Sequence, residues 1–434
     1  MVTALESMAQ KAKLASYTLA SLNSEIKNKA LLAVARKIDE NKSLVLLENQ
    51  KDLDHATKLL ESGEITQSTF NRLKLDDNKM RDMIQGIKNV SRLEDPVNKK
   101  TWAMGLDTGL DLYRVSCPIG VIGVIFEARP DVIPQISALA IKSANAVLLK
   151  GGKEAYNTNV ILAKLIKDAL SEIPEFPQDT INLLFSREDV AEMLTLDNYI
   201  DLIIPRGGNK LVQYIKNNTK IPVMGHADGI CHIYIDEDAD LAKATNICID
   251  AKTQYPSACN TVETILIHEN HLIKYLPELI KKLQEADVTI KGCERCREFI
   301  HDIEIATKED WSTEYGEKIV SIKAVKDLFD AIAHINVYGS GHTDCIISED
   351  KQSIETFMNL VDSAGVFANV STRFADGFRY GLGAEVGIST AKTHARGPVG
   401  LEGLVIYKYK MYGNGQIVSP YAEGKKTFIH QRII

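Results

Sequence analysis

The chain lacks any long uncharged apolar run. Nowhere do 18 uncharged apolar residues follow one another, and residues 1–22 mix alanine, lysine and leucine without a continuous apolar centre. We therefore expect neither a membrane span nor a secretion signal. Positive charge is not in excess either, since 51 Lys and Arg stand against 58 Asp and Glu, for a net charge of −7. Nucleic acid and anionic membrane surfaces need a basic face, so the composition disfavours both as the main partner.

Internal repeats, low-complexity tracts, a complete Gly-x-Gly-x-x-Gly fingerprint and a P-loop are also missing from the sequence. Repeat architectures and two common nucleotide-binding loops are thereby excluded. What remains is an ordinary globular composition, with 45% hydrophobic and 25% charged residues over 434 positions. This length predicts two or three domains, each able to bury its own core.

Cysteine is sparse, with seven residues at irregular spacing. An odd, irregular set does not form a disulfide framework and predicts reduced thiols in the cytoplasm. Cys231, Cys248 and Cys345 lie in apolar runs and are predicted core residues. The pair Cys293 and Cys296 has CxxC spacing, but no second ligand pair accompanies it and it lies in a charged stretch rather than between a strand and a helix. We therefore predict neither a metal site nor a redox site.

Cys259 has a different setting from the other cysteines. Pro, Ser, Asn and Thr surround it in the stretch 253–261, and the β-branched run 262–268 that follows predicts a strand. A small buried hydrophobe is the commoner role of a cysteine. Here, however, the hydroxyl groups and the Asn260 amide can hold a thiolate or a developing oxyanion, which predicts a nucleophile on a loop held by the strand.

Helices and βα units alternate along the rest of the chain. Residues 3–92 read as helices, with apolar side chains every four positions from Ile26 to Ile38 and Ser24 as a plausible N-cap. Residues 101–116 alternate like a two-stranded ribbon. Apolar strands, each followed by a turn and a helix, then occur at 121–126, 146–150, 181–185 and 202–204, and a second αβ series follows Cys259. This order predicts an α/β fold with parallel sheets and a ligand site at the carboxyl ends of the first strands.

Three basic residues fall at that end of the first sheet, namely Arg129, Lys150 and Arg206. The pairs Gly151-Gly152 and Gly207-Gly208 each follow a strand and precede a helix, where backbone N–H groups can receive a phosphate or simply make a tight turn. Lys150 and Lys153 flank the first pair and favour phosphate.

Two late segments carry arginines that suit a carboxylate or a phosphate. One is Ser371-Thr372-Arg373 and the other is 394–398, which contains Arg396. A solvated surface loop explains each of them equally well.

Taken together, several segments resemble the gamma-glutamyl phosphate reductase family of the aldehyde dehydrogenase superfamily. They are 118–124 (PIGVIGV), 126–130 (FEARP), 149–152 (LKGG), 204–208 (IPRGG), 255–260 (YPSACN), 338–344 (YGSGHTD) and 394–398 (HARGP). The resemblance implies an aldehyde dehydrogenase-like fold: a Rossmann-like cofactor domain at 1–98 and 117–228, an α/β catalytic domain at 229–398, and an oligomerisation ribbon at 99–116 and 399–434. It also implies a homo-oligomer, either a dimer or a tetramer, and leaves room for a glutamate kinase as a partner.

The implied reaction is NADPH-dependent reduction of L-glutamate 5-phosphate to the 5-semialdehyde in proline biosynthesis, through a Cys259 thioester. By this resemblance, Lys150 matches the superfamily lysine that contacts the cofactor ribose and phosphate. Glu314 matches the superfamily glutamate that holds the nicotinamide ribose. Lys153 replaces a glutamate of NAD-preferring relatives and favours a 2′-phosphate. Gly151, Gly152, Arg206, Gly207 and Gly208 are the remaining predicted cofactor contacts; Ser371, Thr372, Arg373 and Arg396 are the predicted substrate contacts.

Two departures from the wider superfamily bear on the reaction. His226 stands where hydrolytic members carry a water-activating glutamate, which favours an acyl-phosphate reductase. Arg129 lies near the position of the oxyanion-binding amide, and it can instead bind phosphate or the substrate carboxylate. An NAD(P)-dependent semialdehyde dehydrogenase and a catalytically silent binding protein are the competing interpretations.

Overall fold

The computed structural model describes residues 2–186, 188–226 and 228–434. Met1, Arg187 and Ala227, which fall inside the predicted cofactor domain, lie outside the described residues. The helices are α1 Ala4–Leu19, α2 Ser24–Glu40, α3 Lys42–Glu61, α4 Gln67–Leu73, α5 Asp77–Arg92, α6 Val132–Lys142, α7 Tyr156–Ser171, α8 Glu188–Met193, α9 Asn209–Asn217, α10 Leu241–Thr253, α11 Leu276–Glu285, α12 Glu294–Arg297, α13 Leu328–Tyr338, α14 Lys351–Leu360 and α15 Ser419–Ala422.

The strands alternate with these helices after residue 99. They are β1 Lys100–Asp107, β2 Leu110–Pro118, β3 Val121–Phe126, β4 Ala146–Lys150, β5 Ile181–Leu184, β6 Leu202–Arg206, β7 Cys231–Ile235, β8 Val262–His268, β9 Thr289–Gly292, β10 Glu304–Ile305, β11 Ile319–Val325, β12 Thr343–Ile347, β13 Gly365–Ala368, β14 Gly387–Ser389, β15 Gly397–Val399, β16 Val405–Tyr412 and β17 Gln431–Arg432. The α/β class predicted from the sequence is confirmed.

The amino-terminal helices form a layer that packs on the first sheet. In α2 the apolar stripe at Ala30, Val34 and Ile38 is buried, as its four-residue spacing predicts. The N-cap prediction was wrong by one residue, because the Asn23 side chain accepts the N–H of Ile26 at 3.0 Å and Ser24 is already helical. Helices α2, α5, α6 and α7 contact one another, and α1 contacts β4. Among the described residues, no helix is both long and apolar enough to cross a membrane.

Two parallel sheets face each other across the functional cleft. The first has the strand order β5-β4-β3-β6, and the second has the order β10-β9-β11-β8-β7-β12-β13. Their central strands are buried on both faces, which accounts for the continuous Val, Ile and Leu runs in the sequence. The first sheet presents its carboxyl ends to the cleft, as predicted. The second sheet presents its amino ends, so the loops before β7, β8, β11 and β12 reach the site.

The predicted ribbon is present as an antiparallel sheet in the order β16-β2-β1-β17. Strand β16 pairs with β2 along its whole length, from Val405 opposite Pro118 to Tyr412 opposite Asp111. The ribbon therefore unites the end of the chain with the segment that leads into β3. The predicted domain boundaries stay a prediction, since no measured quantity here divides the chain.

Cys231, Cys248 and Cys345 are buried, which confirms their assignment to the core. The prediction for the CxxC pair was wrong in its premise. Cys293 follows β9 directly and forms the N-cap of α12, and its Sγ lies 3.6 Å from that of Cys296. The charged residues between the two cysteines hid this short helix, because they form its exposed face.

Candidate active site

Cys259 lies in a turn-rich loop between α10 and β8. The N–H of Ala258 donates to the carbonyl of Tyr255 at 3.1 Å, and the N–H of Thr261 donates to the carbonyl of Ala258 at 2.9 Å. The Thr261 hydroxyl also donates to the carbonyl of Tyr255, at 2.8 Å. These bonds pair backbone groups within the loop and fix its shape. Cys259 is a partly exposed residue.

A close backbone approach holds this loop against the strand beside it. A Cβ atom on Gly229 would lie 2.1 Å from the carbonyl oxygen of Cys259 and 2.6 Å from its Cα, so only glycine fits there. The N–H of Gly229 donates to Glu314 Oε2 at 2.9 Å. Behind the loop, the Cys231 thiol donates to the carbonyl of Cys259 at 3.3 Å. Gly229 therefore positions both Cys259, the predicted nucleophile, and Glu314, a predicted cofactor contact.

Burial and charge act on the thiol in opposite ways. Burial raises the pKa of Cys259 to about 12, and the carboxylates of Glu314 and Glu385 add to the rise, while Arg206 and Arg373 act to lower it. The resting thiol is therefore protonated at neutral pH. Loss of its proton depends on these cations and on what enters the cleft.

The loop faces a cleft of about 460 Å³ between the two sheets. Predicted site residues from both halves of the chain line it: Arg129, Arg206, Gly207, Gly208, Cys259, Asn260, Glu314 and Arg373. The Asn260 amide donates to the carbonyl of Ala375 at 2.8 Å, which fixes its orientation. Residues that lie more than 200 positions apart in the chain thus line the same cleft.

Four of the lining residues are arginines, three of them predicted, and hydrogen bonds hold Arg206 and Arg373 in place. Arg206 donates through Nη1 to the carbonyl of Val386, and a Cβ on Gly387 would lie 2.7 Å from that nitrogen. Arg373 donates through Nε to Gln254 Oε1 at 2.9 Å. Arg72, from α4, is a fourth arginine on the cleft wall and was not predicted. Fixed guanidinium groups around a thiol suit a substrate with several negative charges.

The Gly207-Gly208 turn already receives an anion in this structure. Glu127 Oε2 accepts the N–H of Gly208 at 3.2 Å, at the amino end of α9. Glu127 follows β3 and was not predicted to line the site. Its carboxylate occupies the type of position where a helix amino end binds phosphate.

Some predicted residues lie elsewhere. Lys150, Gly151, Gly152 and Lys153 follow β4, one strand farther from the cleft than β3. Lys150 Nζ donates to the carbonyl of Gly151. A Cβ on Gly151 would lie 2.3 Å from Asn159 Nδ2, so packing requires glycine at this position.

Of the predicted substrate contacts, only Arg373 lines the cleft. Ser371 and Thr372 are buried behind it, and the Ser371 hydroxyl accepts the N–H of Arg373 at 3.4 Å. Arg396 lines a separate cleft and donates to Asp362 Oδ1 at 3.0 Å. Direct substrate contact by Arg396 therefore has no support from the cleft around the nucleophile.

Two histidines complete the surroundings of the thiol. Ring nitrogens of His226 and His342 lie, with Cys259 Sγ, within 4.8 Å of one another, and the two rings meet edge to face at 5.1 Å. Sequence reasoning noted His226 only as a replacement for a base and assigned no role to His342. Glu385 was missed as well; it accepts the N–H of Gly377 at 2.8 Å, and burial raises its pKa. Of the three, only His342 lies in a segment that carries the family resemblance, and only the fold brings them to Cys259.

Comparison with known proteins agrees with this geometry. The aldehyde dehydrogenase family profile matches residues 3–292. A gamma-glutamyl phosphate reductase of Brachyspira hyodysenteriae is 57% identical over 426 residues, covering 98% of this chain and 99% of the relative. Another gamma-glutamyl phosphate reductase, of Acetivibrio thermocellus, is 53% identical over 429 residues, covering 99% of this chain and 98% of the relative.

Solved structures give the same result. The crystal structure of gamma-glutamyl phosphate reductase from Thermotoga maritima superposes with a TM-score of 0.92 at 39% identity, covering 96% of this chain and 100% of that chain. An acetylating aldehyde dehydrogenase from Geobacillus thermoglucosidasius has a TM-score of 0.64 at 16% identity, covering 95% of this chain and 97% of that chain. At this identity, the similarity shows the fold alone.

Proposed function

Because the chain belongs to the gamma-glutamyl phosphate reductases of the aldehyde dehydrogenase family, we propose that it reduces L-glutamate 5-phosphate to L-glutamate 5-semialdehyde, with release of phosphate, in proline biosynthesis. The observation that carries the proposal is the single cleft in which Cys259 faces fixed arginines. An acyl phosphate with an α-carboxylate brings several negative charges, and each needs a cation in a chain that is acidic overall.

The chemistry begins at the thiol. Cys259 loses its proton and its thiolate attacks the acyl carbon, after which phosphate leaves and a thioester remains on Sγ. Arg206 and Arg373 favour the thiolate, and a ring nitrogen of His226 lies within 4.8 Å of Sγ to take up the proton. Burial lowers the pKa of His342 well below its usual value and disfavours that ring as the base. The Asn260 amide stabilises the oxyanion that forms on the acyl oxygen. Reduction of the thioester gives a thiohemiacetal, whose collapse frees the semialdehyde and restores the thiol.

The residues present fit a dinucleotide. The N–H of Gly208 donates to a carboxylate oxygen at the amino end of α9, which is the chemistry a cofactor phosphate needs. We propose that Arg206, Gly207 and Gly208, with Lys150, Gly151, Gly152 and Lys153 at the next strand ends, hold the cofactor, and that Glu314 holds its nicotinamide ribose. When bound, the cofactor supplies the hydride. The Lys153 cation favours the 2′-phosphate of NADPH over NADH.

Substrate contacts follow from the arginines. We assign the substrate carboxylate to Arg373, with Ser371 and Thr372 holding the turn that presents it. Arg129 binds the departing phosphate or the substrate carboxylate from the opposite wall of the cleft. A guanidinium on each wall brackets the acyl group over Sγ.

The outer strand of the ribbon, β16, exposes apolar and aromatic side chains, namely those of Ile406, Tyr407, Tyr409, Met411 and Tyr412. Such a run of apolar and aromatic side chains on an edge strand supports pairing with a second copy, as a dimer or a tetramer. Reduced cysteines support a cytoplasmic location. A glutamate kinase, which would supply the acyl phosphate, is the proposed partner.

One observation favours the alternative of an NAD(P)-dependent semialdehyde dehydrogenase. Glu314 and Glu385 lie near enough to Cys259 for their charges to raise its pKa, and a carboxylate near the thiol is what thioester hydrolysis requires. Each of the two accepts one backbone N–H, and Glu385, whose pKa is raised by burial, is the candidate base. The two functions differ in whether aldehyde oxidation requires phosphate.

The test is the reverse reaction, since the acyl phosphate is labile. Pyrroline-5-carboxylate, NADP⁺ and phosphate should yield NADPH, and omission of phosphate should stop the reaction. Cys259→Ala should abolish the signal with the fold intact, whereas Cys117→Ala, at a partly exposed thiol of the ribbon, should retain it. Turnover by Cys259→Ala contradicts the nucleophile, and turnover without phosphate supports the alternative.

A further inference from the structure

The three side chains His226, Cys259 and His342 converge on one point. One ligand atom from each, a ring nitrogen or Sγ, lies within 4.8 Å of the other two. We propose that they form a zinc site in which Zn²⁺ reversibly blocks the nucleophile. This departs from the absence of a metal site predicted from the sequence, where the three residues are separated by 33 and 83 positions.

The donor set matches the preference of zinc. Thiolate sulfur and imidazole nitrogen are its usual protein ligands, and three of them leave the fourth tetrahedral position for water. Zinc bond lengths of about 2.0–2.3 Å place neighbouring ligand atoms roughly 3.3–3.8 Å apart in a tetrahedron. Closure from the 4.8 Å limit is thus about 1 Å, within reach of rotamer changes at Cys259 and His226, which are both partly exposed.

The outer hydrogen bonds are those of a zinc-binding histidine pair. His226 Nδ1 donates to the carbonyl of Ile388 at 2.9 Å, which leaves Nε2 with its lone pair. His342 Nδ1 lies 2.9 Å from Thr343 Oγ1. A second ring nitrogen held by a carbonyl or hydroxyl fixes the ring and the tautomer in such sites.

His342 gives the independent sign of a ligand. The residue is fully buried, and its Nε2 has no hydrogen-bond partner among the residues that the structure describes. A buried polar atom without a partner is costly, so this nitrogen, on a ring that has an atom within 4.8 Å of Cys259 Sγ, calls for an occupant. A cation bound by Sγ and Nε2 satisfies both atoms.

The charges around the site permit a dication. Glu314 and Glu385 are the anions whose charges reach Cys259, and Arg206 and Arg373 are the cations. The two pairs balance. The Cys259 proton leaves to solvent as the zinc–sulfur bond forms, so the bound complex carries one net positive charge. Zinc then occupies the sulfur electron pair that attacks the acyl carbon.

Cobalt titration of the full-length protein tests the binding. In metal-free buffer with a phosphine reductant, Co²⁺ should bind at one equivalent per chain with a thiolate-to-cobalt charge-transfer band. Cys259→Ala should remove the band. His226→Ala, at a partly exposed position that leaves the buried ring of His342 in place, should weaken binding at least as much as the roughly 10–100-fold lost with a supporting residue.

The CxxC pair supplies the matched control, because its two sulfurs are the rival metal ligands in this chain. Cys293→Ser with Cys296→Ser should leave the cobalt band unchanged. Loss of the band in this double variant, its survival in Cys259→Ala, or its absence from the wild type overturns the proposal.

Inhibition, unlike binding, rests on the proposed function. Zn²⁺ should lower the initial rate of the reverse reaction, and a chelator should restore it. An enzyme that binds Co²⁺ through Cys259 yet keeps its rate in Zn²⁺ overturns the inhibitory role. Absence of phosphate-dependent turnover before any zinc is added contradicts the proposed function and leaves the cobalt result standing.

Discussion

Replacement of Gly229 by alanine tests how the nucleophile is positioned. The new Cβ would lie 2.1 Å from the Cys259 carbonyl oxygen, and real Cβ atoms essentially never approach closer than 3.0 Å, so the loop must move by about 0.9 Å. The atoms in the way are backbone atoms, which cannot turn aside as a flexible side chain can. A misplacement of about 1 Å at a reacting group costs on the order of 10²-fold in rate. We therefore expect kcat of Gly229→Ala to fall about 100-fold.

The assay is phosphate-dependent formation of NADPH from pyrroline-5-carboxylate, with thermal unfolding measured alongside. Overpacking of this kind costs about 1–3 kcal/mol, so the variant should still fold. The control is Gly86→Ala in helix α5, where a new Cβ meets nothing within 4 Å. It should keep the wild-type kcat and gain about 0.4–1 kcal/mol of stability. A folded Gly229→Ala enzyme with wild-type kcat would refute the positioning argument.

Three further variants probe charge in and near the cleft. Glu314→Gln should lower the pKa of Cys259, because after burial the Glu314 carboxylate is the largest cause of the rise in that pKa. The pH profile of iodoacetamide alkylation should therefore shift to lower pH, and an unchanged profile contradicts this prediction. Lys252→Met removes the partner that buried Glu263 contacts at 2.6 Å and should cost about 3–5 kcal/mol in urea unfolding. Burial raises the pKa of wild-type Glu263 from 4.5 to about 7 against the lowering effect of Lys252, so removal of Lys252 raises it further, and the loss relative to wild type should grow as the pH rises through about 7, where the wild-type carboxyl ionises; a loss independent of pH speaks against an unpaired carboxylate. Arg373→Ala removes a charged hydrogen bond worth about 1.5–3 kcal/mol and should raise KM for the semialdehyde roughly 10- to 100-fold; an unchanged KM excludes Arg373 from the substrate site.

Local patterns in the sequence predicted the strands and the nucleophile. The runs 121–126 and 146–150 are strands at the predicted residues, and 262–268 is the strand that follows Cys259. Each is a short β-branched run bounded by turn residues, so neighbours along the chain suffice to define it. The CxxC helix was missed because a four-residue helix has too few turns to show an apolar stripe.

Spatial neighbours from distant segments could not be predicted in this way. Arg373 and Arg396 looked equivalent in the sequence, yet one lines the nucleophile cleft and the other pairs with Asp362 in a different cleft. Which loop reaches which cleft depends on the strand order of the sheet, and that order is set by long-range packing. No local pattern in the sequence indicates this strand order.

The sequence by itself determined the α/β class and the glycine turns after the first strands, and it singled out Cys259 as the predicted nucleophile, because each depends on residues close together in the chain. Tertiary structure alone decided that the second sheet would offer its amino ends to the cleft. His226 and His342 meet the Cys259 thiol for that reason. The strand order β8-β7-β12 places the loops before those strands side by side, and this juxtaposition gives the thiol its two neighbouring imidazole rings.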